Sequence, residues 1–242
     1  MEIKRFFANS QDNDGSNIKI YGEEFTHMTK VLRHKVGYKI TVNLDDGKDY
    51  NCTLTEINSD FAIARIDSIT ENECRAKASV TLFQALPKGD KLDLIAQKCV
   101  ELGVENIIPF TSRYTNESKF NHTRCQRIAL EACKQCGRSR KAEIGELTDF
   151  DGLLNTLKDY DVIIMPYENS KVGKIGQVAG LESGKKIALI IGSEGGFCDE
   201  EVEKVRKLGG EIISLGKRIL RCETASIVAV SLVMYELGEL QG

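Results

Sequence analysis

The sequence lacks a long apolar run. No stretch reaches the roughly 18–20 consecutive apolar residues that a membrane-spanning helix needs, and residues 1–16 have no apolar core of the kind found in a secretory signal. A large excess of one charge is also missing, because 33 basic residues face 36 acidic ones and leave a net charge of −3. We therefore expect a soluble, cytoplasmic protein in which any nucleic-acid site is a local basic patch.

A paired zinc-binding motif is missing as well. The chain has eight cysteines, but only Cys133 and Cys136 form a CxxC motif, whereas a zinc site of this kind needs a second pair. Apolar residues recur at helical spacing from Thr123 to Gly137, and both cysteines fall on that apolar face. We therefore predict reduced thiols that pack as small apolar side chains, and no bound metal.

Two sequence patterns divide the chain. In the first part, short β-branched runs are separated by turn residues such as Asp45–Lys48, with one helix expected around Glu23–Arg33. In the second part, apolar strands alternate with helices, which is typical of an α/β domain with a parallel sheet. We predict a small β-barrel domain over residues 1–72 and an α/β domain over residues 73–242. The last predicted helix, Thr224–Leu237, is apolar nearly all round, so we expect it in a core or a subunit interface.

A glycine-rich turn follows the apolar strand that ends at Ile191. Ligands of open α/β sheets bind beyond the carboxyl ends of strands, and glycine permits close backbone approach to a ligand. The turn, Gly192–Gly196, matches neither the dinucleotide-binding pattern nor the phosphate-loop pattern. Glu194 within it and Asp199–Glu201 after it disfavour a phosphate, because these acids already complement the dipole of the following helix. A neutral or cationic ligand fits better, and an ordinary tight turn is the alternative.

Two further segments lie where strands of this sheet are expected to end. Met165–Ser170 follows the run "DVII", and Leu215–Ala225 lies between "EIIS" and the last helix. The second segment concentrates charged and polar residues, namely Lys217, Arg218, Arg221, Glu223 and Thr224. A cationic loop that faces a glutamate-bearing glycine loop predicts a ligand site, and a solvated surface loop is the alternative.

A local basic face accompanies these loops. Arg124, Arg127 and Lys134 lie opposite the apolar stripe of the helix that precedes Gly137, and "GRSRK" follows that helix at once. The upstream segment Ser112–Lys119 adds two more cations and a tyrosine. Such a patch suits contacts to the phosphates of RNA or DNA, and ordinary charged surface is the alternative.

In combination, several motifs resemble one known family. They are "ALPKGDKLDLIAQKCVELGV" (Ala85–Val104), "EACKQCGRSR" (Glu131–Arg140), "IGSEGGF" and "LGKRILRCETA", with "HMTKVLRHKVGYKI" (His27–Ile40) near the start. Together they resemble the small-subunit ribosomal RNA methyltransferase E family over nearly the whole chain. The resemblance implies a PUA-like N-terminal β-barrel, a SPOUT-type α/β domain with a C-terminal trefoil knot, and a homodimer. It also implies transfer of a methyl group from S-adenosylmethionine to N3 of a uridine in 16S rRNA of the small ribosomal subunit.

The resemblance implies that the three strand-end segments hold S-adenosylmethionine. This cofactor carries a sulfonium cation and a neutral adenine, so a glycine loop with a carboxylate suits it better than it suits a phosphate. Glu194 is expected to brace the loop rather than to touch the methyl group. The candidate cofactor-binding residues are Met165, Pro166, Tyr167, Ile191, Gly192, Glu194, Gly195, Gly196, Leu215, Gly216, Arg218, Ile219, Leu220, Thr224 and Ala225.

Methylation at N3 of a uridine requires the base to leave any helix, because N3 lies on the pairing edge. Loss of the N3 proton spreads negative charge over O2 and O4, which a guanidinium group can stabilise. Arg221 is the candidate for this role, with Glu223 orienting it or assisting proton loss. The candidate RNA-binding residues are Arg5, Arg33, His34, Arg113, Arg124, Arg138 and Arg140.

Three alternatives remain open from the residues alone. A non-catalytic RNA-binding module would use the barrel and the basic helix and would bind no cofactor. A doubly wound nucleotide-binding enzyme would need a phosphate loop early in its α/β domain, whereas the glycine loops of this chain come late. A methyltransferase of the same class would act on a different rRNA or tRNA nucleotide.

Overall fold

The computed structural model describes residues 3–74, 78–170, 173 and 175–241. The chain forms two compact units. The N-terminal unit contains Met1–Arg75 and Cys133–Lys141, and the larger unit contains Ala76–Ala132 and Ala142–Gly242. The domain boundary predicted from sequence, between residues 72 and 73, stays a prediction.

A five-stranded sheet with one short helix builds the N-terminal unit. Its elements are β1 (Lys4–Phe7), β2 (Asn17–Tyr21), α1 (Gly22–Thr26), β3 (Lys39–Asn43), β4 (Lys48–Ile57) and β5 (Phe61–Glu71). The strand order is β1-β3-β4-β5-β2, with β1 and β3 parallel and the other pairs antiparallel. The sheet curls into a half-barrel, with β1 and β2 at its edges.

The sequence pattern explains this sheet. Buried and less buried side chains alternate along β4, as expected for a strand with one face on the core. Asp45 and Gly47 have φ angles of 64° and 89°, which the predicted turn between β3 and β4 requires. The helix expected around Glu23–Arg33 is present as α1, continued by a π-helical turn over His27–Val31. Thus the local patterns predict most of this unit.

A parallel sheet and α-helices build the larger unit. The strands are β6 (Ser79–Ala85), β7 (Asn106–Thr111), β8 (Glu143–Ile144), β9 (Thr148–Asp149), β10 (Val162–Pro166), β11 (Lys186–Ile191) and β12 (Glu211–Ile213). The α-helices are α2 (Lys91–Glu101), α3 (His122–Cys136), α4 (Phe150–Thr156), α5 (Asp199–Lys207) and α6 (Cys222–Glu236), and the last four residues of α3 belong to the N-terminal unit. The strand order is β12-β10-β11-β6-β7-β8, β9 also pairs with β7, and every pair is parallel.

Helix α6 is buried on one face only, although its sequence is apolar nearly all round. It packs against α2 and β11 through a face that includes the fully buried Ala229, Val230 and Val233. The opposite face exposes Leu232 by 41% and Tyr235 by 53%. An apolar helix that leaves such side chains exposed still fits a subunit interface, as the sequence analysis expects. No helix in the described part of the chain is both long and apolar enough to span a membrane.

The apolar stripe of α3 is buried as predicted. Cys125, Ala129 and Ala132 of this stripe are at most 3% exposed, Cys133 is fully buried, and Cys136 is partly exposed. All eight cysteines are thiols. Among the described residues, no group of three or more histidine, cysteine, aspartate or glutamate side chains could hold a metal ion.

Parallel pairing brings the three predicted ligand segments together. Strand β10 lies between β11 and β12, and all three strands run in the same direction. Their carboxyl ends therefore meet at one edge of the sheet. Each of the three segments follows one of these strands, so segments far apart in sequence become neighbours.

Candidate active site

A cavity of about 400 Å³ lies at this edge of the larger unit. Most of the candidate cofactor-binding residues line it, namely Pro166, Tyr167, Ile191, Gly192, Glu194, Gly196, Leu215, Gly216, Arg218, Ile219, Leu220 and Ala225. Arg221, the candidate catalytic residue, also lines it. The volume falls within the roughly 300–1,000 Å³ of small-molecule sites.

Three candidate cofactor-binding residues lie outside the lining. Met165 is fully buried in the core, as the fourth residue of β10. Gly195 faces Tyr114, because a Cβ atom built on this glycine would lie 2.6 Å from the Cβ of that tyrosine. Thr224 is exposed in the first turn of α6. None of the three is among the lining residues, so their contacts with a cofactor stay predictions.

Several lining residues were not among the candidate site residues, namely Lys91, Glu168, Ser193, Phe197, Ser214, Lys217 and Cys222. Most of them adjoin predicted residues, and Lys91 is the exception. It begins α2, which follows β6, and β6 pairs directly with β11. The segment "PKGDK" after β6 is thus a fourth strand-end segment, and this position is the signal that would have found Lys91.

The glycine loop needs glycine at two places where backbone and side chains approach closely. A Cβ atom on Gly192 would lie 3.1 Å from Cε2 of Phe197 and 3.2 Å from the Cα of Gly196. Gly196 has a φ angle of 63° and donates its N–H to the carbonyl of Ser193 at 3.0 Å. The predicted tight turn is therefore present, and it leaves the backbone facing the cavity.

Glu194 braces this loop against the start of α2. Its carboxylate accepts hydrogen bonds from the Nζ of Lys91 at 2.6 Å and from the backbone N–H of Lys88 at 3.2 Å. Burial raises the pKa of Glu194, but the bonds from Lys91 and from backbone N–H groups outweigh burial and leave the pKa below its ordinary value. Its charge is thus already compensated within the protein.

Arg221 and Glu223 lie on either side of the first residue of α6. Arg221 is exposed, and it precedes the helix as the N-cap. Glu223 accepts a hydrogen bond from the Sγ of Cys222 at 3.2 Å and lies 3.6 Å from the Nζ of Lys91. A hydrogen bond from its own backbone N–H, bonding to Cys222, and the charges of Lys91 and Arg221 lower the pKa of Glu223. Glu223 itself lies outside the cavity lining.

The candidate RNA-binding residues of the N-terminal unit have different surroundings. Arg33 and Arg140 are exposed. Arg5 forms a two-pronged ion pair with Asp49, with Nη1–Oδ1 and Nη2–Oδ2 distances of 2.5 and 3.1 Å, and Arg138 is only 5% exposed. His34 is half-buried.

Acidic neighbours also reduce the basic face predicted on α3. Lys134 pairs with Glu24 at 2.7 Å inside the N-terminal unit, and the lysine side chain is 9% exposed. In the larger unit, Arg124 pairs with Asp93 at 2.6 Å but is half-exposed. The candidate Arg113 is similarly exposed and pairs with Glu200 at 2.6 Å. Exposed cations thus remain in each unit, but several of the predicted basic side chains are paired with acidic neighbours.

Comparison with known proteins identifies the family. Residues 74–234 match the family described as "RNA methyltransferase domain", and residues 20–67 match "RNA methyltransferase PUA domain". Ribosomal RNA small subunit methyltransferase E of Bacillus subtilis (strain 168) is 31% identical, over 99% of both chains. The chain belongs to the ribosomal RNA small subunit methyltransferase E family. The enzyme class predicted from sequence, an RNA methyltransferase, is therefore confirmed.

Solved structures of similar proteins support the fold prediction. A ribosomal RNA small subunit methyltransferase E from Neisseria gonorrhoeae bound to S-adenosylmethionine is 27% identical, with a TM-score of 0.86 over 98% of both chains. The Lpg2936 methyltransferase of Legionella pneumophila, in complex with the same cofactor, is also 27% identical, with a TM-score of 0.86. That match covers 97% of this chain and 98% of the other. The predicted SPOUT-type parallel sheet, preceded by a PUA-like β unit, is confirmed, while the trefoil knot stays a prediction.

Proposed function

We propose that this chain transfers a methyl group from S-adenosylmethionine to N3 of a uridine in 16S rRNA of the small ribosomal subunit. The observation that carries the proposal is the cavity at the carboxyl edge of the sheet. Its walls come from the three segments that the family resemblance assigns to the cofactor. Two members of the same fold, each matching nearly all of this chain, bind S-adenosylmethionine according to their descriptions.

The residues of the cavity suit this cofactor. In the described part of the chain, the backbone groups of Leu215 and Leu220 make no hydrogen bond within the protein, so they are open to a ligand. Ile191 and Phe197 supply apolar surface for a flat ring, and Gly192 keeps the backbone accessible. Small-molecule sites combine apolar walls with a few placed polar groups in this way.

The side chains near α6 supply the acid–base and electrostatic roles. When bound, S-adenosylmethionine supplies the methyl group. Arg221 is exposed at the cavity and stabilises the negative charge that develops on O2 and O4 as N3 loses its proton. Glu223 is the candidate acceptor of that proton or the partner that orients Arg221, since its lowered pKa keeps it ionised. Lys91 is an unsuitable acceptor, because the hydrogen bond to Glu194 raises its pKa and keeps it protonated.

We further propose that the enzyme is a cytoplasmic homodimer that contributes to ribosome biogenesis. The second copy would cover exposed apolar side chains of α6, Leu232 and Tyr235, together with Leu94 of α2, which packs against α6; Leu94 is 42% exposed. Exposed apolar groups of this size are typical of protein interfaces. The cytoplasm follows from the proposed substrate, because ribosomal subunits are assembled there.

The test compares 16S rRNA from cells with and without the protein. Nucleosides from digested rRNA are separated by chromatography and identified by mass against authentic 3-methyluridine. We expect the loss of one 3-methyluridine, and reverse transcription should then read through one position, since a methyl group on N3 blocks base pairing. Loss of a different methylated nucleotide in rRNA or tRNA would instead support the same class with another target.

Calorimetry separates catalysis from simple RNA binding. We expect the purified chain to bind S-adenosylmethionine and to restore the missing methyl group on rRNA or small subunits from the deficient cells. A chain that binds RNA but neither binds the cofactor nor restores methylation would be a non-catalytic RNA-binding protein, and the proposal would be wrong.

A further inference from the structure

One lysine connects three separate elements of the larger unit at the cavity. Lys91 is the first residue of α2, Glu194 lies in the loop after β11, and Glu223 lies in the first turn of α6. The Nζ of Lys91 is 2.6 Å from Oε1 of Glu194 and 3.6 Å from Oε2 of Glu223. The three side chains are 33%, 29% and 15% exposed, so water screens them only in part.

The charges of this cluster depend on the lysine. Lys91 holds two carboxylates within 4 Å of one ammonium group, and such carboxylates repel each other when the cation is removed. Two other groups face the cluster. Cys222 is a neutral thiol, since burial, more than any other cause, raises its pKa to about 12. Arg221 carries the remaining positive charge near Glu223.

We propose that Lys91 is a positioning residue that sets both the geometry and the charge of the methyl-donor site. It ties the glycine loop to the start of α6, and it neutralises Glu194, which lines the cavity proposed for the sulfonium donor. The assignment rests on the proposed function, because it concerns a site that takes S-adenosylmethionine.

Neutralisation of Glu194 matters for the reaction itself. The positive charge of the sulfonium group disperses as the methyl group is transferred. An uncompensated carboxylate beside it would therefore stabilise the bound donor more than the transition state, and such binding slows the chemical step. With Lys91 in place, the loop holds the donor through its backbone and shape rather than through a full negative charge.

This role predicts a change in selectivity between the donor and its product. S-adenosylhomocysteine lacks the sulfonium charge, so it serves as the neutral probe. Lys91→Met should weaken both ligands, because the loop and α6 lose their connection. The ratio of the dissociation constant of S-adenosylhomocysteine to that of S-adenosylmethionine should nevertheless rise on the order of three- to tenfold, as expected for one unpaired charge in a partly screened site.

Matched variants separate the effect of the Lys91 charge from a general loss of structure. Lys98→Met is the control, because Lys98 lies on the same helix, pairs with Glu101 at 2.9 Å and lies outside the cavity lining. Lys91→Arg keeps the charge and should keep the wild-type ratio. Glu194→Gln should lower the ratio, and its combination with Lys91→Met should bring the ratio back towards that of the wild type.

The pH dependence of the ratio of dissociation constants provides a second test of the role of Lys91. In the wild type both carboxylates have lowered pKa values, so the ratio should be flat between about pH 5 and pH 8. In Lys91→Met no cation lies between the two carboxylates, so they repel each other and one of them binds a proton at a higher pH. The raised ratio of dissociation constants should therefore return towards the wild-type value as the pH drops below about 6. A purely structural role for Lys91 would not produce this change.

Isothermal titration with both ligands, for the wild type and these variants, decides the matter. A wild-type chain that binds neither ligand would refute the proposed function and this assignment with it. A wild type that binds both, together with a Lys91→Met variant whose ratio is unchanged, would refute the role of Lys91 alone. If Lys91→Met does not fold, Glu194→Gln alone tests the charge, and an unchanged ratio in that variant would also refute it.

Discussion

The hydroxyl of Ser226 lies 2.5 Å from Oε1 of Gln84, and both side chains are fully buried. The same hydroxyl lies 2.8 Å from the carbonyl of Cys222, so its single proton is shared between two acceptors. Nε2 of Gln84 donates to the carbonyls of Ala85 at 2.9 Å and Gly192 at 3.3 Å. This buried pair thereby connects the end of β6, the glycine loop and the start of α6 beneath the cavity.

Removing the hydroxyl of Ser226 should destabilise the protein. Ser226→Ala leaves Oε1 of Gln84 buried without a donor, which costs about 1–3 kcal/mol. The free energy of unfolding, measured with urea, should fall by that amount, and cofactor affinity should fall with it. Ser231→Ala is the control, since its hydroxyl donates only to the carbonyl of Ile227 within α6, at 2.7 Å. Equal losses in the two variants would contradict a special role for the buried pair.

Removing the guanidinium group of Arg221 should slow methyl transfer without a large loss of cofactor affinity. Arg221→Ala should lower turnover on the order of 10²- to 10³-fold, because the charge on the uridine loses its stabilising partner. Cofactor affinity, measured by calorimetry, should stay within about threefold of the wild type. Arg206→Ala serves as the control, as Arg206 is an exposed residue of α5 that pairs with Glu203. Normal turnover in Arg221→Ala would remove this residue from its role.

Acid should weaken the N-terminal unit through Asp49. Burial raises the pKa of this carboxyl, but hydrogen bonds from Arg5, Asn43 and Asn72 outweigh burial and lower the pKa below its ordinary value. A depressed pKa contributes stability that is fully present above the ordinary value, about 3.9, and is lost as the pH falls through the lowered value.

The variant Asp49→Asn tests this pH dependence. It should be less stable than the wild type at pH 6, and the difference in unfolding free energy should shrink as the pH falls below about 4, because the unfolded wild type then binds a proton that the native Arg5–Asp49 pair still excludes. Asp60→Asn, an exposed change in the turn between β4 and β5, is the control. A difference that stays constant from pH 6 to pH 3 would show that the Arg5 pair does not depend on ionised Asp49.

The cysteines should differ in reactivity and should bind no metal. Cys74 is exposed, whereas burial raises the pKa of Cys52 and Cys125 to about 12. A thiol reagent added to the native protein should therefore modify Cys74 first, as mass spectrometry of the peptides would report. Treatment with a chelator should leave the melting temperature unchanged. Zinc bound in stoichiometric amount, or early labelling at Cys125, would contradict this prediction.

Binding of rRNA should depend steeply on salt. Exposed cations that reach phosphates release counterions, so each contact adds about 0.7–0.9 to the slope of log affinity against log salt. Arg33→Ala and Arg140→Ala should each lower that slope by about one contact. Arg65→Ala is the matched control, since Arg65 is exposed but pairs with Asp67 at 3.0 Å. A wild-type RNA affinity that does not change with salt concentration would contradict phosphate contacts altogether.

Local patterns in the sequence determined the kinds of element and the places where a ligand could bind. The alternation along β4 indicates a strand that is buried on one face. The continuous apolar run of β11 indicates a strand that is buried on both faces. The glycines of Gly192–Gly196 report a tight turn at a strand end, which the φ angle of Gly196 bears out. These features depend on neighbours within a few residues, and therefore they can be read from the chain itself.

Only the tertiary structure decided which charges meet. Lys91 reaches Glu194 because β6 and β11 are neighbours in the sheet, although 103 positions separate the two residues. Arg5, a candidate RNA-binding residue, likewise pairs with Asp49 across 44 positions. The physical reason is that an ion pair needs two groups within a few ångströms, and for residues so far apart that distance is set by the order of strands rather than by local spacing.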